Sequence, residues 1–149
     1  MKIARFSLLL SVSLCAWAQG GRGPVNREAP VTPVPFDRIL KANQEPQNWL
    51  TYSGNLNSQR FSGLTQISPA NAANLTLQWV FQSRSLDKHE VTPLVVDGVM
   101  YVSSPDAVVA LDAATGKMVW QNTTIGSGRG VVYGDGKIFV AKDVRVVAL

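Results

Sequence analysis

Two stretches of the chain carry the same alternation of short apolar runs and turn residues. In the first, the runs Pro93 to Val96, Val99 to Ser103, Ala107 to Leu111 and Met118 to Trp120 are rich in Val, Tyr, Met and Trp. Each run is bounded by turn residues, so the pattern predicts four short strands. Asp97-Gly98 separates the first two runs by two residues that tolerate positive φ, the strongest local signal for a tight hairpin. Ser104-Pro105-Asp106 and Asp112 to Lys117 make the other two turns.

The second stretch repeats the first. Asp135-Gly136 lies 38 residues after Asp97-Gly98, and Ala148-Leu149 lies 38 residues after Ala110-Leu111. A period near forty with four short strands per unit marks a blade of a β-propeller. Two unrelated hairpins of a β-sandwich are the competing reading, but period, hairpin turns and strand number agree on the propeller. The expected fold is therefore all-β: one full blade, most of a second, and an isolated N-terminal strand.

That isolated strand is Leu75 to Gln82, which alternates in part and carries the β-formers Thr76, Trp79, Val80 and Phe81. Trp79 resembles Trp120, as though Leu75 to Gln82 were the outer strand of a blade whose inner strands come from elsewhere. The chain thus reads as the N-terminal piece of a larger protein, with an inactive truncated product as the alternative. Upstream, Ser68 and Pro69 in "SPAN" fit the N-cap and first position of a short helical turn. Phe36, Ile39 and Leu40 fit one side of a short helix ending before Pro46. The Gly- and Pro-rich residues before them read as an extended arm.

Composition changes the picture mainly at the N-terminus. Of 149 residues, 46% are hydrophobic and 16% charged, which fits a globular chain. Lys2 and Arg5 precede the apolar run Phe6 to Ala16, which is too short to span a bilayer, and Ala16-Trp17-Ala18 has small residues where a signal peptidase needs them. Residues 1–18 are expected to be a secretory signal cleaved after Ala18, residues 19–48 an arm with a short helix, and residues 49–149 the propeller portion. A lipoprotein signal built on Cys15 is disfavoured by Leu14, which occupies a position requiring a small residue. Cleavage lowers the formal charge of +4 by two and removes the single cysteine. The mature chain then makes no disulfide or thiolate metal site. It has no basic cluster interleaved with aromatics for nucleic acid, and no long apolar run for a membrane helix.

Weaker signals stay local. Gly126 to Gly130, "GSGRG", lacks the strand-to-helix context of a phosphate loop and reads as a flexible turn. His89 is the only histidine, so no histidine metal cluster is expected. Asn74 and Asn122 begin glycosylation-type triplets, a pattern frequent by chance. Trp49, Tyr52, Phe61 and Trp79 read as core aromatics.

The opening motif Trp49, Tyr52, Arg60, Phe61, Ser62, Leu64, together with Glu90 to Val96 and "ALDAATGKMVW", resembles the pyrroloquinoline quinone-dependent alcohol dehydrogenases, which are periplasmic eight-bladed propellers. The resemblance runs from about Trp49 to Leu149. It implies that Glu90 and Arg129 contact the quinone; on residue chemistry alone, Glu90 reads as an exposed carboxylate and Arg129 as a solvated loop cation. A guanidinium offers forked donors to a tricarboxylate with ring carbonyls, and places positive charge where a reduced oxygen develops. The resemblance further implies a calcium or lanthanide ion, an aspartate base, hydride transfer from an alcohol to the quinone, and a cytochrome c as electron acceptor. The metal ligands and the base are expected beyond residue 149, so no catalytic or metal residue falls within the chain. One departure concerns the adjacent cysteines that many members carry before the arginine; here the segment is Asn122 to Gly128, with no cysteine. A non-enzymatic propeller of the outer-membrane assembly type, binding protein partners, is the alternative function.

Overall fold

The computed structural model describes residues 32–149; the signal-peptide reading of residues 1–18 and the first part of the arm lie outside them. Two antiparallel meanders make up the body. In the first, β1 (Leu94–Val96), β2 (Val99–Ser104), β3 (Ala107–Asp112) and β4 (Met118–Asn122) pair in chain order. In the second, β5 (Val132–Gly134), β6 (Lys137–Lys142) and β7 (Arg145–Ala148) do the same. The repeat of 38 holds to the residue, since β1 and β5, β2 and β6, and β3 and β7 each begin 38 apart.

Hairpin chemistry sets the registers. Asp97 and Gly98 have φ of 46° and 83°, and Asp135 and Gly136 have φ of 48° and 68°. Positive φ at both central residues is the two-residue turn whose twist matches the strands it joins. Val96 accordingly faces Val99, and Gly134 faces Lys137. The turn between β3 and β4 is built by Asp112, whose Oδ1 accepts hydrogen bonds from Thr115 N–H (2.8 Å) and Thr115 Oγ1 (2.7 Å). These bonds favour the ionised form and hold the Asp112 carboxyl below its usual range.

The core lies where the two sheets meet. Val99 and Tyr101 on β2, Val108 and Ala110 on β3, Tyr133 on β5, and Ile138 and Val140 on β6 are buried in one cluster with Leu50. Alternation is clear on β2 and β6, whose inward residues are buried while their neighbours are half-buried or exposed. β3 is buried from Ala107 to Leu111, which is why its sequence reads as a continuous apolar run. Tyr101 packs against Trp120 and Tyr133 at 6.1 and 5.5 Å between ring centroids. Lys142 Nζ also donates to Pro105 O across the two sheets (3.0 Å).

The N-terminal residues fasten to the first sheet at two points. Trp49 and Val95 exchange backbone hydrogen bonds of 2.8 and 3.0 Å, which covers part of the free edge of β1. Helix α1 (Phe36–Leu40) forms before Pro46 and is followed by a 3₁₀ turn at Ala42–Gln44. From α1, Arg38 Nε donates to Glu45 (2.9 Å to each carboxylate oxygen), and Arg38 Nη1 donates to Asp97 Oδ2 (3.1 Å) at the tip of the first hairpin. Asn48 joins them, donating to Glu45 Oε2 (2.7 Å) and accepting from Asp97 N–H (2.8 Å). The guanidinium holds both carboxyls below their usual range.

Leu75 to Gln82, expected to pair with strands from elsewhere, is extended and pairs with no strand among the described residues, and Leu77 is 80% exposed. Apolar alternation supplies the conformation, but a strand also needs a backbone partner. Two expectations need correction. At "SPAN" the helical turn forms as a 3₁₀ turn, Ala72–Asn74, but Ser68 does not cap it with its side chain. Instead Asn71 Oδ1 accepts from Ser68 N–H (2.7 Å). Finally, Phe61 is 75% exposed and Tyr52 is exposed as well, so neither is core; Arg60 lies over the Tyr52 ring, 5.4 Å from its centroid. Trp79 is half-buried against the turn of the first sheet: its indole N–H donates to Ala113 O (3.2 Å), and its ring covers Gly116.

Two outcomes are expected. A Cβ at Gly116, where φ is +67°, would fall 2.6 Å from the Trp79 ring. Gly116→Ala should therefore release Trp79, read as a red shift of tryptophan emission and faster proteolysis within residues 75–82; unchanged emission contradicts the contact. Arg38→Ala should cost about 1 kcal/mol at neutral pH, a modest figure because the acids are partly solvated. Both carboxyls are depressed in the folded chain, so this contribution is complete above the ordinary carboxylate range, from roughly pH 5 upward, and is lost as pH falls through their lower folded values. Denaturant unfolding of both forms across pH should show the difference closing towards acid.

Candidate functional site

Glu90 and Arg129 come from the segments that lead into the first strands of the two sheets. Glu90 lies in the irregular stretch before β1, and Arg129 lies in the loop joining β4 to β5. The packing of sheet on sheet brings them together, and Arg129 Nη1 and Glu90 Oε2 form a direct ion pair. The two segments are also joined through the backbone, since Glu90 N–H donates to Gly128 O (2.9 Å).

The loop that carries Arg129 is built residue by residue. Asn122 Oδ1 accepts from Thr124 N–H (2.9 Å) and Thr124 Oγ1 (2.8 Å), which turns the chain out of β4. Gly126 then passes against the β2–β3 turn so closely that a Cβ would lie 2.2 Å from Ser104 O, a position only glycine fills. Ser127 is buried: its carbonyl accepts from Ser103 Oγ (2.7 Å), and its own Oγ accepts from Arg129 N–H (3.1 Å). The expectation of a flexible turn at Gly126 to Gly130 is thereby corrected. The loop is pinned by buried hydrogen bonds, which no pattern of glycines could announce.

The side chains point the other way, into solvent. Arg129 is 82% exposed and Glu90 50% exposed at the side chain. A guanidinium in this setting keeps N–H donors free for a second oxyanion, while the carboxylate accepts from a ligand N–H or fixes the guanidinium plane. Ser103 and Ser127 were not singled out by the sequence. A serine in a strand and a serine in a glycine-rich turn carry no signature of their own.

Two other places lie apart from this pair. His89 Nε2 lies 3.2 Å from Ser83 Oγ in an exposed loop. A cleft of about 210 Å³ opens between residues 42–49 and 54–63, lined by Asn43, Trp49, Asn55, Gln59 and Phe61 among others. Neither gathers charged groups. Among the described residues, no group of three or more His, Cys, Asp or Glu is placed to hold a metal ion, and no helix is long and apolar enough to cross a membrane.

Comparison with known proteins gives a consistent result. The family described as glucose/ethanol/alcohol dehydrogenase, beta-propeller domain, matches residues 49–141. The dehydrogenase subunit of the quinone alcohol dehydrogenase of Gluconacetobacter polyoxogenes is 36% identical over 127 residues, covering 76% of this chain and 17% of its own. The 1-butanol dehydrogenase (cytochrome c) of Thauera butanivorans is 40% identical over 115 residues, covering 68% of this chain and 17% of its own. The crystal structure of quinohemoprotein alcohol dehydrogenase from Comamonas testosteroni superposes with a TM-score of 0.73 at 35% identity, covering 83% of this chain and 20% of that one. The chain spans about a sixth of the length of the curated relatives it matches. With its repeat, its two antiparallel meanders and these matches, the chain belongs to the pyrroloquinoline quinone-dependent alcohol dehydrogenase family, as part of its β-propeller.

Proposed function

We propose that the chain forms part of an exported, periplasmic dehydrogenase that oxidises alcohols with pyrroloquinoline quinone, and that Glu90 and Arg129 contact the quinone. The observation that carries this reading is the solvent-facing ion pair on a pinned loop. Its donor set fits the cofactor. The quinone brings three carboxylates and ring carbonyl oxygens, and the free N–H groups of Arg129 match such acceptors. Glu90 would steady the guanidinium and accept from a ring N–H. Oxidation of an alcohol carbon is the chemistry that the quinone supplies when bound, and Arg129 would hold positive charge beside an oxygen that becomes more negative.

A calcium or lanthanide ion does not fit the described residues, which bring no cluster of ligands together. Its ligands, and the aspartate that would take the alcohol proton, belong on this reading to other parts of the whole protein. Transfer of electrons to a cytochrome c agrees with the name of the Thauera relative. Export rests on residues 1–18, with Gln19 as the first residue of the mature chain.

The test is a titration with pyrroloquinoline quinone of the whole purified protein that contains this chain, followed by quenching of tryptophan emission. Arg129→Ala should weaken binding about tenfold or more, as expected when a charge-assisted hydrogen bond is lost. Glu90→Ala should weaken it less, because it removes an orienting group along with a negative charge. No binding by the unsubstituted protein, or equal binding by all three, overturns the cofactor assignment. N-terminal sequencing of the exported protein should begin at Gln19, and any other start overturns the cleavage site.

A further inference from the structure

Arg129 is held in place by a residue that has no contact with its side chain. We infer that Ser103 is a positioning residue for Arg129, acting through Ser127, and that it sets the affinity of the site for a polycarboxylate quinone. The inference rests on the proposed role of Arg129 and adds a residue to it.

Ser103 sits on β2, in the middle of the first sheet, and is 1% exposed. A hydroxyl buried that deeply needs a partner, and the one it has is Ser127 O at 2.7 Å. Ser127 is 7% exposed, and its Oγ accepts the Arg129 N–H at 3.1 Å. Two hydrogen bonds that meet at Ser127, one at its carbonyl and one at its hydroxyl, therefore link the sheet interior to the Arg129 backbone. Neighbouring features leave the loop little other freedom. Gly126 is pressed against Ser104 O and Ala107 N, and Gly128 O accepts from Glu90 N–H. At Gly130, where φ is +97°, a Cβ would meet nothing within 4 Å. Ser103 and Gly126 thus fix the near side of the loop on the first sheet, and Glu90 fixes the far side.

The chemistry follows from this arrangement. An exposed arginine on a mobile loop loses conformational freedom when it binds an oxyanion, and that loss subtracts from affinity. Holding the Arg129 backbone beforehand removes part of the loss without adding a contact. Deletion of the Ser103 hydroxyl leaves Ser127 O buried without a donor, and the loop would move to hydrate it.

A double-mutant cycle on the whole protein separates this role from a general one. With Arg129 present, Ser103→Ala should weaken pyrroloquinoline quinone binding about fivefold to tenfold, the size of one hydrogen bond. In the Arg129→Ala background the same substitution should change binding by less than about twofold, because the side chain it positions is gone. Without quinone, Ser103→Ala should speed amide hydrogen exchange at Gly128 to Gly130, and Ser103→Thr should restore both readouts. If Ser103→Ala does not fold, Ser127→Ala takes its place in the cycle, since it removes only the acceptor for Arg129 N–H. Equal losses in both backgrounds, or no loss with Arg129 present, overturn the inference. If Arg129→Ala alone leaves binding unchanged, the failure lies instead in the reading of Arg129, and the exchange measurement still decides whether Ser103 holds the loop.

Discussion

The contact between the two sheets is the interaction on which the rest depends. Tyr101 stands at its centre, between Trp120 on its own sheet and Tyr133 on the next. Burial pushes its phenol up to about 12, which keeps it protonated across the physiological range. Each large side chain buried here contributes roughly 1.5–3 kcal/mol, but the buried positions of the two units do not correspond by the repeat. Val99 and Tyr101 on β2 answer to Lys137 and Phe139 on β6 by the repeat, yet it is Ile138 and Val140 that are buried. Facing sheets in tandem do not present the same face to a shared interface, so the repeat holds in turns and strand starts but shifts in its inward positions.

Glu90 and Arg129 meet because of that interface. Each lies a few residues before the first strand of its sheet, so they hold nearly corresponding places in successive units. Apart from the sheet packing and the Glu90 N–H to Gly128 O bond, nothing in either segment would bring them together. A substitution that altered how the sheets face each other would separate the pair without touching it.

What the sequence made legible was local. The turns at Asp97-Gly98 and Asp135-Gly136 depend on two residues each, and their spacing gave the period, the strand starts and the all-β class. The pairing of Glu90 with Arg129 was not legible, because it depends on how two sheets pack. The state of Leu75 to Gln82 was not legible either, since its composition fixes an extended backbone but not a partner. Tyr52 and Phe61 looked like core because aromatics usually are, but both sit exposed on loops, Phe61 at the edge of an open cleft. Ser103 was hidden for a different reason: one hydroxyl in an apolar strand is recognised only when its acceptor is seen.

Two arginine–carboxylate groups in the same molecule differ in how much of the guanidinium they leave free. Arg38 is largely covered, and its donors are taken up by Glu45, Asp97 and Pro33 O, so little of the guanidinium remains for a ligand. Its work is to tie the arm to the first hairpin. Arg129 has the opposite arrangement, with a pinned backbone and a side chain left in water beside one carboxylate. An exposed pair of that kind adds little to stability, whereas the buried bonds that hold its loop satisfy groups shut away from water. On the proposed function the same bonds would offer the guanidinium at a fixed place before anything arrives, and an arginine so placed suits a planar, multiply charged oxyanion.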